Sequence, residues 1–380
     1  RVPSSSTVRN RLGVQGGFVV PGGGMRVLLG MSGGIDSSAA AFVLKGQSHE
    51  VIGVTMTIWS NRAHLERPID SVSCFAPDKS KDIAKIKEMC ARLGIEHHTL
   101  ELSDRFEEEV LANFKEEYLD GKTPNPCVWC NQKIKFGAMV EYAKESGLEF
   151  DRFATGHYAR IVRTGERWAV GKAKDEKKDQ SYFLYRLSQE QLQTILFPLG
   201  ELTKDEVRAI AGEHGYVSDD RGESQDFYDG DYTDLLEVGD KEGKIITRDG
   251  RILGTHRGIW HYTIGQRKGL GIAAERPLYV LELRAFTNEV VVGFDDETVQ
   301  HHVEATNVVF GSLGMIEGEV EVEAKIRSVG RAKRAFARQK GDGTIVACFP
   351  EGVKAATPGQ SLVLYKDDVI LAGGIISSAR

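Results

Sequence analysis

The chain has 380 residues, 41% of them apolar and 27% charged, with a formal net charge of −6 at neutral pH. That length exceeds one average domain, and no apolar run approaches the ~18 residues of a membrane helix, so two or three soluble domains are expected. An acidic balance excludes nucleic-acid binding by overall charge and leaves it to local basic patches. Five cysteines, widely spaced except for one pair, fit reduced cytoplasmic thiols rather than a disulfide framework. Residues 1–24 lack the apolar core and cleavage site of a secretory signal and are expected to form an unstructured extension.

In chain order, the strand Arg26-Val27-Leu28-Leu29 runs through Gly30-Met31-Ser32-Gly33-Gly34-Ile35-Asp36-Ser37-Ser38 into an alanine-rich helix. The glycines let the backbone turn sharply beside a ligand, and amides at the helix start point at one spot, which makes an anion site. Asp36 offers a carboxylate to a phosphate-bound Mg²⁺. No lysine follows the glycines, as a Walker-type loop requires, and the dinucleotide fingerprint's third glycine is missing. Ser-Gly-Gly-x-Asp-Ser after a strand resembles the PP-loop of ATP pyrophosphatases, which split ATP between its α and β phosphates.

A β-branched strand at Val51–Trp59 follows, then a polar stretch at 60–80 containing Cys74. Ile83, Ile86, Cys90 and Leu93 mark a helix closed by Gly94, and Glu96–Leu102 is the third strand. Ser103 is expected to cap a helix with Phe106, Val110, Phe114 and Tyr118 on one face. Gly121–Asn131 reads as a proline-punctuated loop with a helix from about Lys133, and Phe150–Ala154 is the fourth strand, leading into Thr155-Gly156-His157-Tyr158. Alternating strands and helices predict a doubly wound parallel sheet over 25–216, with ligands at the carboxyl ends of its strands. After a charged loop at Lys172–Gln180, a capping box at Thr203-Lys204-Asp205-Glu206 opens the last long helix. Beyond that, short strands and glycine turns predict a small β-rich domain over 217–299 and a β-barrel over 300–380.

Cys127-Val128-Trp129-Cys130 can be a redox pair, half a zinc site, or part of an iron–sulfur site. No second Cys or His pair stands at zinc spacing. Cys90 and Cys348 read as buried packing, whereas Cys74 sits in a polar loop beside the expected site. Seven cations lie between Lys325 and Lys340 with no acid among them, a candidate RNA contact.

Taken in order, the PP-loop, Thr123-Pro124-Asn125-Pro126 leading into Cys130-Asn131, Thr155-Gly156-His157-Tyr158-Ala159, Lys178-Asp179-Gln180-Ser181-Tyr182, Tyr262-Thr263-Ile264-Gly265-Gln266-Arg267-Lys268-Gly269 and Thr357-Pro358-Gly359-Gln360 resemble the tRNA-specific 2-thiouridylase family from Met25 to the C-terminus. The resemblance implies a three-domain cytoplasmic enzyme that uses ATP and Mg²⁺ to replace the 2-oxygen of the wobble uridine, in the anticodon stem-loop, with sulfur. It implies an ATP site at Gly30, Met31, Ser32, Gly33, Gly34, Ile35, Asp36, Ser37, Met56 and Gly156, with Cys130 as nucleophile. It implies base contact at Asn125, Pro126 and Cys127, and tRNA contact at Lys178, Asp179, Gln180, Arg327 and Ser328. The chain departs from the family's better-known branch in having Cys127 where that branch has Asp. It also lacks a second relay cysteine after Ser224-Gln225. Two sulfur routes follow. In one, Cys130 carries a persulfide from a donor or relay protein, and Cys127 or Cys74 resolves it. In the other, Cys74, Cys127 and Cys130 hold a [4Fe–4S] cluster that delivers free sulfide. Two rival readings are a PP-loop synthetase acting on small molecules and a non-catalytic RNA-binding protein.

Overall fold

A computed structural model describes residues 24–59, 74–75, 80–215, 228 and 232–380. The polar stretch around Cys74, the Ser224-Gln225 motif and nearly all of the N-terminal extension lie outside those residues. Val27, Leu28 and Leu29 are fully buried, as a strand covered on both faces requires. They form β1 (Arg26–Gly30), followed by α1 (Ile35–Gly46), β2 (Glu50–Thr57), α2 (Ser80–Leu93) and β3 (Glu96–Glu101).

The next helix, α3 (103–119), buries Phe106, Val110, Phe114 and Tyr118 as expected. Its middle, Glu107–Leu111, is π-wound. A four-residue recurrence is longer than the 3.6-residue α period, and the wider turn keeps those side chains on one face. Leu102, not Ser103, is the N-cap, and the Ser103 amide instead donates to Glu101 Oε1 at 3.0 Å. Helix α4 (126–145) begins at Pro126, well before Lys133, because a proline without an N–H suits a helix's first turn. Then come β4 (Arg152–Ala154), the hairpin β5 (Arg160–Thr164) and β6 (Arg167–Gly171), α5 (Gln189–Thr194), β7 (Ile195–Leu196) and α6 (Lys204–Glu213).

The sheet is parallel in the order β3-β2-β1-β4-β7, so the order reverses beside β1 and opens a crevice at the carboxyl ends of β1 and β4. After α7 (Tyr232–Leu236), the strands β8 (Gly243–Thr247), β9 (Ile252–His256), β10 (Tyr279–Arg284) and β11 (Glu289–Gly293) form a separate four-stranded sheet. The last six strands are β12 (Val299–Phe310), β13 (Glu319–Lys325), β14 (Lys333–Gln339), β15 (Ile345–Lys354), β16 (Ser361–Lys366) and β17 (Val369–Ala379). Pairing of β12 with β17 closes them into a barrel. The β5–β6 hairpin leaves the first sheet and joins the barrel where Gly171 pairs with Val369.

On α3, burial pushes the Glu117 carboxyl up to about 6 from an ordinary 4.5, against the pull of Lys122 and with Glu116 and Asp120 adding to the rise. The folded state therefore holds a proton between those values that the unfolded chain releases, and stability falls as pH rises through 6. Glu117→Gln should be indistinguishable from the native protein near pH 4.5. At pH 7.5 it should be more stable by about 1 kcal/mol, the shift discounted for partial exposure, as read from denaturant midpoints.

Candidate active site

The loop between β1 and α1 leaves Ser32, Gly33 and Gly34 exposed at the crevice, with Gly33 at φ +79°. Its shape is fixed from within. Ser37 Oγ and Ser38 Oγ donate to Gly34 O at 3.0 Å, the Ser32 amide donates to Ser37 Oγ at 3.3 Å, and the Met31 amide donates to Val54 O at 2.7 Å. No side chain caps α1, so its first amides face the crevice ready for an anion. Gly156 presses on the same turn: a Cβ there would lie 2.9 Å from Asp36 C and 3.0 Å from Ser37 N. Met56 lies half-buried at the same edge, on β2. The structure thus brings together all the expected nucleotide residues.

Asp36 is held more firmly than its sequence position indicates. Tyr158 Oη donates to Oδ1 at 2.7 Å, and Lys204 Nζ donates to both oxygens at 2.7 and 2.9 Å. Lys204 is 7% exposed and opens α6, whose capping box is present as expected. An uncompensated carboxylate at this spot would repel a phosphate, and Lys204 offsets part of that charge. Sequence reasoning identified the capping box without seeing a functional lysine at its second residue. An ammonium next to a cap, with no acid on the following turn facing it, was the available signal.

Cys127 and Cys130 lie on the first turns of α4, three residues apart, with Cys127 half-buried and Cys130 buried. Burial pushes the Cys130 thiol up to about 12; the Lys135 ammonium opposes this, while Cys74 and Cys127 add to it. Burial lowers the Lys135 ammonium, but Cys130, Cys74 and Cys127 outweigh that and leave its pKa raised. Lys135, which sequence reasoning passed over, is therefore the cation in electrostatic reach of the three cysteines, placed to favour an anionic sulfur there. Cys130–Ala138 is π-wound, and five-residue spacing on such a helix sets Lys135 on the side of Cys130. His157, bonded through Nδ1 to Thr155 Oγ1 at 2.7 Å, is driven well below its usual range by burial and then by Lys135, and stays neutral. Among the described residues no group of three or more His, Cys, Asp or Glu side chains is arranged to hold a metal ion. The expected three-thiol cluster thus has no ligand set among them. Cys90 is buried, its thiol raised by burial to about 11, and Cys348 is half-buried on β15.

The two expected tRNA segments are neighbours: Lys325 feels the charge of Asp179, and the Arg327 guanidinium acts on the buried Tyr182 phenol, opposing the rise that burial gives it. Asp179 is turned inward, accepting from the amides of Ala173 and Ser181 and from Ser181 Oγ. Gln180 Oε1 accepts from the Tyr158 amide at 2.9 Å. A cleft of about 360 Å³ beside Arg327 is lined by Lys325, Arg331, Lys333 and Lys354. The basic run is less free than its sequence implied. Arg334 pairs with Glu321 across β13 and β14 at 2.6 Å, and Lys340 with Glu304 at 2.9 Å.

Three family profiles match in succession: a tRNA methyl transferase HUP domain over residues 25–228, a tRNA methyl transferase PRC-barrel domain over 236–294, and an aminomethyltransferase beta-barrel domain over 300–376. A tRNA-specific 2-thiouridylase MnmA of Endomicrobium trichonymphae is 41% identical over 93% of this chain and 99% of its own. The chain belongs to the tRNA-specific 2-thiouridylase family. A second 2-thiouridylase, from Caldanaerobacter subterraneus subsp. tengcongensis, is 43% identical over 92% of this chain and 97% of its own. A third, from Clostridium perfringens, is 40% identical over 93% and 98%. The 2-thiouridylase matches span both the crevice with its thiols and the basic barrel.

Proposed function

We propose that this chain adenylates the 2-oxygen of the wobble uridine of tRNA with ATP and exchanges it for sulfur, acting in the cytoplasm. One observation carries the reading: the segment after β4 joins an anion-ready loop to the thiols, Gly156 packing on Asp36 and Ser37 while its neighbour His157 feels the charge of Lys135, the lysine beside Cys130. A uridine 2-carbonyl loses its oxygen poorly, so the oxygen must first become part of a phosphate. The triphosphate would lie on the amides of Ser32–Ser37, oriented for attack by the uridine oxygen on the α-phosphorus, with pyrophosphate leaving. Mg²⁺ bound to the phosphates would be held by Asp36 and would spread the charge of the leaving group. Anticodon bases are already unstacked enough to enter such a pocket. Methyl transfer, the activity in two of the domain descriptions, has no use for a phosphate loop.

Sulfur then attacks the activated carbon and AMP leaves with the oxygen. Burial keeps the Cys130 thiol protonated, so a more acidic persulfide on Cys130, beside Lys135, is the better nucleophile. Its terminal sulfur bonds to the carbon. Cys127 then attacks Cys130 Sγ, which frees the thiouridine and leaves a disulfide that a cellular thiol reduces. The cluster reading has in its favour that Cys74, Cys127 and Cys130 share one electrostatic neighbourhood. With no ligand set among the described residues, no step is routed through it.

Incubation with ATP, a persulfide donor and an anticodon stem-loop should give 2-thiouridine, AMP and pyrophosphate. AMP formed equally without RNA would mark a synthetase acting on a small molecule, and RNA binding without AMP would mark a non-catalytic protein. Arg327→Ala with Arg331→Ala should flatten the salt dependence of tRNA binding by about one slope unit per lost contact. Adenylation of a minimal stem-loop should fall less, because such contacts position rather than specify. An unchanged slope would make the cleft a solvated surface.

A further inference from the structure

Three segments distant in sequence meet at the loop that leads into α4. The Thr123 amide donates to Pro358 O at 2.8 Å, and Gln360 Nε2 donates to Thr123 O at 2.9 Å and Pro124 O at 3.4 Å. Gly359, at φ +90°, lies so close that a Cβ would sit 2.9 Å from Thr123 C and O. The barrel side of this contact is rigid. The Gly359 amide donates to Ile376 O at 3.0 Å, and the Ile376 amide, on β17, donates to Gln360 O at 2.7 Å. From the other side, Gly121 packs on the four-stranded sheet, where a Cβ would lie 3.1 Å from Leu283 O. The connection between β9 and β10, whose Gly265 amide donates to Val280 O, also touches the barrel, since a Cβ on Gly265 would meet Ala355 Cβ at 2.8 Å, two residues before Thr357.

Pro124 and Pro126 have no N–H to give, so the loop depends on outside partners for its remaining backbone groups. The barrel supplies them through Gln360. Only two residues separate Pro124 from Cys127, and α4 starts between them. A shift at Thr123 is therefore passed directly to the turn that carries Cys127 and Cys130. We infer that Gln360, seated by Gly359, is a positioning residue for sulfur transfer. It fixes the loop ending in Asn125-Pro126-Cys127 against the barrel, so that the activated carbon meets the Cys130 sulfur before it meets water. The inference rests on the proposed thiolation. When the loop is displaced, water takes the place of sulfur at the activated carbon, AMP leaves, and uridine is regenerated with nothing oxidised.

The test uses Gln360→Ala and Gln360→Leu; leucine keeps most of the volume and loses only the donor. AMP released per 2-thiouridine formed is measured beside tRNA affinity. The native enzyme should release about one AMP per thiouridine. Both variants should release at least ~3 while thiolation slows ~10–100-fold, as expected for a displacement near 1 Å at a reacting centre, and tRNA affinity should hold within about twofold. A merely structural role would lower both products together and leave the ratio alone. Should the alanine variant fold poorly, the leucine variant decides. A native ratio in a folded Gln360→Leu protein that binds tRNA would overturn the inference. A native protein that makes no 2-thiouridine would instead overturn the proposed function, before any variant is compared.

Discussion

Cys130→Ala should form no detectable 2-thiouridine while still releasing AMP from ATP when tRNA is present. The two half-reactions use different groups: the loop at 32–37 handles the phosphates, and the first turns of α4 supply the sulfur. Without a sulfur nucleophile the adenylated uridine persists until water cleaves it, so AMP continues to appear. The substitution removes one buried sulfur, a cavity costing about 1–2 kcal/mol, which a protein of this size should tolerate. Cys127→Ala should behave differently. It should permit a single round that leaves tRNA joined to Cys130 through a disulfide, releasable by added thiol. Mass spectrometry of the quenched mixture distinguishes the two. Equal thiolation by Cys130→Ala and the native protein would exclude Cys130 as the sulfur carrier.

Asp36→Asn should lower tRNA-dependent AMP formation by more than ~100-fold, the scale for removing a preorganised electrostatic group. Asparagine is the appropriate replacement because Lys204 is 7% exposed and spans both Asp36 oxygens. Alanine would take from that ammonium both carboxylate oxygens it donates to, at a cost of about 3–5 kcal/mol, and would confuse misfolding with lost chemistry, whereas asparagine keeps one oxygen to accept from it. Lys204→Met should reduce adenylation similarly, because the carboxylate it neutralises would then face the incoming phosphates. In both variants the kcat of AMP formation should fall while tRNA affinity stays near native, since the barrel is untouched. Near-native AMP formation by folded Asp36→Asn would remove this loop from the ATP site.

Local pattern made much of this legible. The glycine pair at 33–34, bounded by an apolar strand and an alanine-rich helix, encodes its turn within a dozen residues. The four-residue recurrence from Phe106 to Tyr118 encodes a buried face. What escaped was set by residues far apart in sequence. Nothing near Lys204 announces that its partner is Asp36, and nothing between Lys325 and Lys340 reveals that β13 brings Glu321 against Arg334. The proline-rich run at 123–126 resembled a loop extending past the cysteines, yet Pro126 opens the helix in the first turn that suits it, and the barrel contact at Thr123 just before it had no local signal. The seat of the β5–β6 hairpin on β17 was not legible, because one cross-strand pair carries no sequence signature.

The central claim is that the uridine's own oxygen is adenylated before sulfur replaces it. It is tested most directly with a stem-loop whose wobble uridine carries a heavy oxygen isotope at position 2. Reaction with ATP and a sulfur donor should yield 2-thiouridine and AMP in which one phosphate oxygen is heavy, with unlabelled pyrophosphate. Label-free AMP accompanying full conversion to 2-thiouridine would contradict the account.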